Sequence, residues 1–68
     1  MNEKSPFQKW LLNYLETFNL SNRAFARWIG INASLVGFYL HGMRSPTYHT
    51  LQLIINKTGV DPNVFFEE

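Results

Sequence analysis

The fold class the sequence predicts is all-α: a compact bundle of five short helices arranged around a helix pair at residues 20–42. Three observations predict it. Apolar residues recur at three- and four-residue steps from Phe7 to Phe18, the stripe of an amphipathic helix. A side chain able to cap a helix start stands ahead of each helical stretch, at Ser5, Ser21, Asn32, Thr47 and Asp61. Asn19, Gly30, Gly42 and Gly59 stand where the first four stretches should stop, and the glycines accept a left-handed backbone without strain.

Met1 to Lys4 reads as a short, frayed polar lead. Ser5-Pro6-Phe7-Gln8 is a strong helix start, with serine at the cap, proline where its missing donor costs nothing, and glutamine closing a capping box. Phe7, Trp10, Leu11, Tyr14, Leu15 and Phe18 form the inner stripe of this helix, while Lys9, Asn13 and Glu16 face out. A second helix runs from Asn22 to Ile29 behind Ser21 and ends at Gly30; a third runs from Ala33 to His41 behind Asn32 and stops at Gly42. These two, joined by a tight glycine turn, form a helix-turn-helix. Leu20, Phe25, Ala26, Ile29, Ile31, Val36 and Tyr39 are placed to pack the pair across a shared corner. Ala33, Ser34, Gly37, Phe38 and His41 remain outward on its second helix.

Met43 to Pro46 is a turn, because the residue before a proline is pushed out of helical geometry. Thr47 caps a fourth helix, Tyr48 to Thr58, with Tyr48, Leu51, Ile54, Ile55 and Thr58 inward. Asp61-Pro62 opens a short fifth helix through about Phe66, with Val64 and either Phe65 or Phe66 sealing the bottom of the core. Without a repeat, a low-complexity tract or a linker, residues 1–68 are expected to form one domain.

A chain of 68 residues is marginal unless its core is dense, and 46% hydrophobic with 16% aromatic residues allows that density. No cysteine is present, so neither a disulfide framework nor a Cys-based zinc site is expected. No apolar run approaches the ~20 residues of a membrane span, and no secretory signal precedes the first helix. A cytoplasmic protein with no membrane association is the expectation.

The net charge of +1 says little, but its arrangement says more. Glu3, Glu16, Asp61, Glu67 and Glu68 all lie near an end, while Arg23, Arg27, Arg44 and Lys57 occupy an acid-free middle that contains the helix pair. Such a local positive field is the footprint of a phosphate-binding face, although four cations also serve as an ordinary solvated surface.

Ser21-Asn22, Phe25-Ala26, Ile29-Gly30-Ile31, Val36, Tyr39 and Gly42 resemble the pattern of the lambda-repressor-like, Cro-type (XRE) helix-turn-helix family of bacteria and their phages. The similarity continues through Pro46, Leu51, Ile54, Gly59-Val60 and Phe65. It implies a five-helix lambda-repressor-like bundle that binds double-stranded DNA with the second helix of the motif in the major groove. It also implies a transcriptional repressor acting as a dimer, of phage or mobile-element type. In that family the first residue of the motif is commonly a glutamine that holds a phosphate and braces the recognition helix. Here it is Asn22, one methylene shorter, so the brace is weakened or passes to Arg23. The family's base contacts map to Ala33, Ser34, Gly37 and Phe38, with Asn32 just before and His41 at the far end. Arg44 matches positions that touch phosphate or the groove edge, and Thr47 and Tyr48 begin a helix that adds backbone contacts.

Groove-reading helices normally offer Gln, Arg, Asn or Lys, because a bidentate side chain supplies ~1–3 kcal/mol of base discrimination. This one offers Ala33 and Phe38, which can touch only thymine methyls, Ser34, which can bond any base, and Gly37, which gives close approach without readout, so a methyl-rich, A·T-leaning site read partly through DNA shape is expected. Trp28 and Leu53 are apolar where surface charge is usual in the family, and Phe38 and Leu40 add two more apolar residues on the recognition helix. They raise an alternative: the same fold used as a protein-interaction module, either as a homodimer contact or to bind another regulator. An enzyme is the least supported class. Asp61 is the only aspartate, no glycine-rich phosphate loop is present, and His41 and His49 sit on different elements without a third ligand. Neither a cofactor, a metal nor a small-molecule substrate is expected.

Overall fold

The computed structural model describes residues 4–66; the rest of the polar lead and the acids Glu3, Glu67 and Glu68 lie outside the described residues. Among the described residues there are four α-helices: α1 (Pro6–Thr17), α2 (Asn22–Ile29), α3 (Ala33–Leu40) and α4 (Tyr48–Thr58). The expected fifth α-helix is instead a 3-10 turn, Pro62–Phe66. Its five residues are too few for repeated α-type bonds, so the Val64 amide bonds Asp61 O (3.0 Å) and the Asn63 amide bonds Asp61 Oδ1 (3.0 Å).

α1 begins with the full capping box: Ser5 Oγ accepts from the Gln8 amide and Gln8 Oε1 accepts from the Ser5 amide. Its end shows why an asparagine can close a helix. Asn19 adopts φ +53, which lets the Leu20 amide reach Leu15 O (2.9 Å) and the Asn19 amide reach Glu16 O (3.3 Å). α3 stops one residue earlier than expected, with His41 as its cap. There Gly42 at φ +73 allows the same closure, from the Met43 amide to Phe38 O (2.9 Å).

The core takes residues from every element: Phe7, Leu11 and Leu15 from α1, Phe25, Ala26 and Ile29 from α2, Val36 and Tyr39 from α3, Ile54 from α4, and Phe65 from the 3-10 turn. Phe7 sits edge-on to both Tyr39 (5.5 Å) and Phe65 (5.4 Å), so one ring joins the first, third and last elements. Two inward assignments need correction. Phe18 is exposed, because α1 ends at Thr17 and the cap residue lies beyond the packed turns. Tyr48 is 78% exposed, because it is the first residue of α4 and stands above the top core layer. Thr50 is buried in its place, its hydroxyl satisfied by Thr47 Oγ1 at 3.2 Å. Between the two final phenylalanines, Phe65 seals the core and Phe66 stays exposed.

Candidate nucleic-acid interface

The backbone of α2 sets up the first part of the surface. Ser21 Oγ accepts from the Ala24 amide (3.0 Å) and Ser21 O from the Phe25 amide (3.0 Å), which leaves the amides of Asn22 and Arg23 without an intrahelical acceptor. Both side chains are exposed beside them, so donors and a guanidinium stand together at the positive end of a helix.

Gly30 then turns the chain. Its φ of +95 is a left-handed conformation, and Ala26 O accepts from both the Gly30 amide (2.8 Å) and the Ile31 amide (2.9 Å). No atom lies within 4 Å of a Cβ built on Gly30, so the turn needs glycine for its backbone angle rather than for space. Asn32 caps α3 through Oδ1, which accepts from the Ser34 amide at 2.8 Å. The capping bond uses one lone pair of Oδ1 and turns that oxygen toward the helix backbone, so the Asn32 amide NH2 is the freer group for a base or phosphate.

Val36 and Tyr39 are buried and Leu35 and Leu40 pack beside them, so the opposite side of α3 carries Ala33, Ser34, Gly37 and Phe38. Ser34 is exposed, whereas Ala33, Gly37 and Phe38 are half-buried, Ala33 against the core. Gly37 stands in the helix interior, yet a Cβ added there meets nothing within 4 Å outside the helix's own backbone. Glycine at such a site costs ~1 kcal/mol relative to alanine with no packing gain inside the molecule.

His41 and Arg44 are exposed beyond the end of α3, and the Arg44 guanidinium carbon lies 5.4 Å from the Phe38 ring centroid. Thr47 Oγ1 accepts from the Thr50 amide (3.3 Å), and Tyr48 projects from the first position of α4. The predicted site residues thus divide into three places: the start of α2, the outer stripe of α3, and the segment from His41 to Tyr48.

A helix-turn-helix family model matches residues 11–65, spanning α1 from its second turn to the 3-10 turn. The chain belongs to the lambda-repressor-like (XRE-type) helix-turn-helix family. Domains of this helix-turn-helix family bind DNA and regulate transcription; they are not enzymes. No curated protein and no solved structure matches the chain.

Two further features of this helix-turn-helix protein bear on its surface. Among the described residues no group of His, Cys, Asp or Glu is arranged to hold a metal, and no helix is long and apolar enough to cross a membrane. Leu40 and Leu53, expected as interface candidates, are half-buried against the core, whereas Trp28 is 42% exposed. Trp28 continues an aromatic row, stacked with Tyr14 at 6.4 Å, and Tyr14 in turn packs on exposed Phe18 at 4.7 Å.

One residue that supports the motif is absent from the expected set. Gln8 closes the α1 capping box with Oε1 and donates through Nε2 to Leu40 O (3.4 Å), tying the start of α1 to the end of α3. Nothing local in the sequence signals this second bond, because its partner lies on a different helix.

Proposed function

We propose that the chain is a sequence-specific DNA-binding transcriptional regulator, a single cytoplasmic domain over residues 1–68 and a repressor of phage or mobile-element type. α3 lies in the major groove. Phosphates are held by Asn22, Arg23, Arg44, Thr47 and Tyr48, with His41 reaching the backbone from the far end of the helix. Base edges meet Asn32, Ala33, Ser34, Gly37 and Phe38. The observation that carries this reading is the outer stripe of α3, where an interior glycine has no use inside the molecule and leaves the helix surface low enough for close approach. Eight helical residues read few base pairs, so a homodimer on paired half-sites is part of the proposal.

Titration of short random duplex DNA at low and physiological salt, with wild type and Arg44→Ala, tests it. The expected result is binding at low salt that weakens steeply as salt rises, with log affinity falling by roughly 0.9 per log salt for each phosphate contacted. Absence of binding at low salt refutes the reading.

A second reading, the fold as a protein-interaction module for a second copy or another regulator, is favoured by the Phe18–Tyr14–Trp28 row. Two exposed rings there extend an apolar face that the core does not need. Association through that face holds or strengthens as salt rises, whereas DNA binding weakens.

A further inference from the structure

α3 carries no bidentate side chain on its outer stripe, yet the structure brings one to it. Arg44 comes from the turn after the helix, and its guanidinium carbon rests 5.4 Å from the centroid of the Phe38 ring, the last member of that stripe. The electron-rich ring face attracts the cation and limits where the otherwise flexible arginine can point. Phe38 is half-buried while Arg44 is exposed, so the ring is the fixed partner and the guanidinium the outward one.

We infer that Arg44 reads a guanine and that Phe38 is its positioning residue, so that the pair recognises a guanine next to a thymine in the major groove. The inference rests on the DNA-binding reading above, names the bases it would take, and moves Arg44 from the phosphate given to it there to a base edge. A guanidinium matches guanine O6 and N7 as a bidentate donor, and an apolar side chain such as phenylalanine suits the thymine methyl. Base pairs stack 3.4 Å apart, so groups separated by 5.4 Å are close enough to reach two neighbouring pairs. One face of the ring is turned to the guanidinium, and the part of the half-buried ring that is open to solvent remains for the methyl. The otherwise featureless helix thereby gains one strong polar contact inside an A·T-leaning site, supplied from outside the helix.

Selection of binding sites from random duplexes, followed by affinity measurement on the selected site and its single-base variants, tests the inference. Wild type is expected to select a T·A pair beside a G·C pair. Replacing that guanine should weaken binding by about 5- to 150-fold, which is ~1–3 kcal/mol converted at 1.4 kcal/mol per decade. Replacing the thymine by uracil, which lacks the methyl, should weaken it about 4-fold. Arg44→Ala should erase the preference at the guanine position alone. Phe38→Leu should reduce the guanine preference without changing the salt slope, and Phe38→Tyr should retain it, since a ring rather than bulk is required. Thermal melts establish that each variant is folded.

If Arg44→Ala instead weakens all sequences equally and makes the salt slope shallower by about one, Arg44 holds only a phosphate and the inference is overturned. If Phe38→Leu leaves the guanine preference intact, Phe38 does not position Arg44 and that half fails. A wild-type protein that binds no duplex at any salt defeats the DNA-binding reading itself, an outcome distinct from both.

Discussion

Gly37→Ala should make the protein more stable and a poorer DNA binder at once. Alanine is favoured over glycine in a helix interior by about 0.8–1.0 kcal/mol, and the Cβ it adds meets no atom within 4 Å beyond the helix itself, so nothing offsets that gain. Unfolding entropy of about 2.1 cal/mol/K per residue over 68 residues is about 0.14 kcal/mol/K, which converts 0.9 kcal/mol into a rise of about 6 °C in Tm. Circular dichroism at the helical band measures this directly. On duplex DNA the same methyl stands on the stripe proposed to face base edges, and overpacking of a close contact costs ~1–3 kcal/mol. Affinity should therefore fall while Tm rises. A Tm that stays level or drops refutes the claim that the position is open. A higher Tm with unchanged DNA affinity refutes the claim that this part of α3 presses against the groove.

Other perturbations separate support from recognition. Ile54→Ala removes a fully buried side chain of α4 and should cost ~2–5 kcal/mol, a large part of what a domain this small possesses, visible as a collapse of the denaturant midpoint. Asn32→Ala should cost ~0.5–2 kcal/mol through loss of the cap on Ser34, and Asn32→Ser should recover most of that loss in the same melt. Gly42→Ala places a Cβ 2.9 Å from Gln8 Nε2 at φ +73. It should lose ~1–2 kcal/mol from the backbone alone, and pairing it with Gln8→Ala should relieve only the side-chain clash in a double-mutant cycle.

Much of the fold was legible because its signals are local. A cap side chain and a stop residue bracket each helix, and both act within a turn of themselves, so Ser5, Ser21, Asn32 and Thr47 appear as caps where their positions predict. What escaped depended on where an element lies in the stack rather than on its pattern. Tyr48 keeps the spacing of an inward residue but stands above the last layer, and Phe18 keeps the stripe but falls after the helix has closed. The final turn carries cap and proline signals identical to those of a longer helix, and its shortness decided between α and 3-10 geometry.

At the candidate interface the limit was of the same kind. Helical spacing alone identified the outer stripe of α3, because Val36 and Tyr39 claim the inner side. It also made the stripe look chemically poor, since spacing sees only residues on the helix. The contact that enriches it comes from outside, where Arg44 folds back onto Phe38 from the following turn, while Gln8 reaches the Leu40 carbonyl from α1 and braces the end of the helix. A recognition surface is therefore better read as a patch than as a helix. In this chain a stripe of small and apolar residues leaves the room, and a neighbouring turn supplies the cation that can use it.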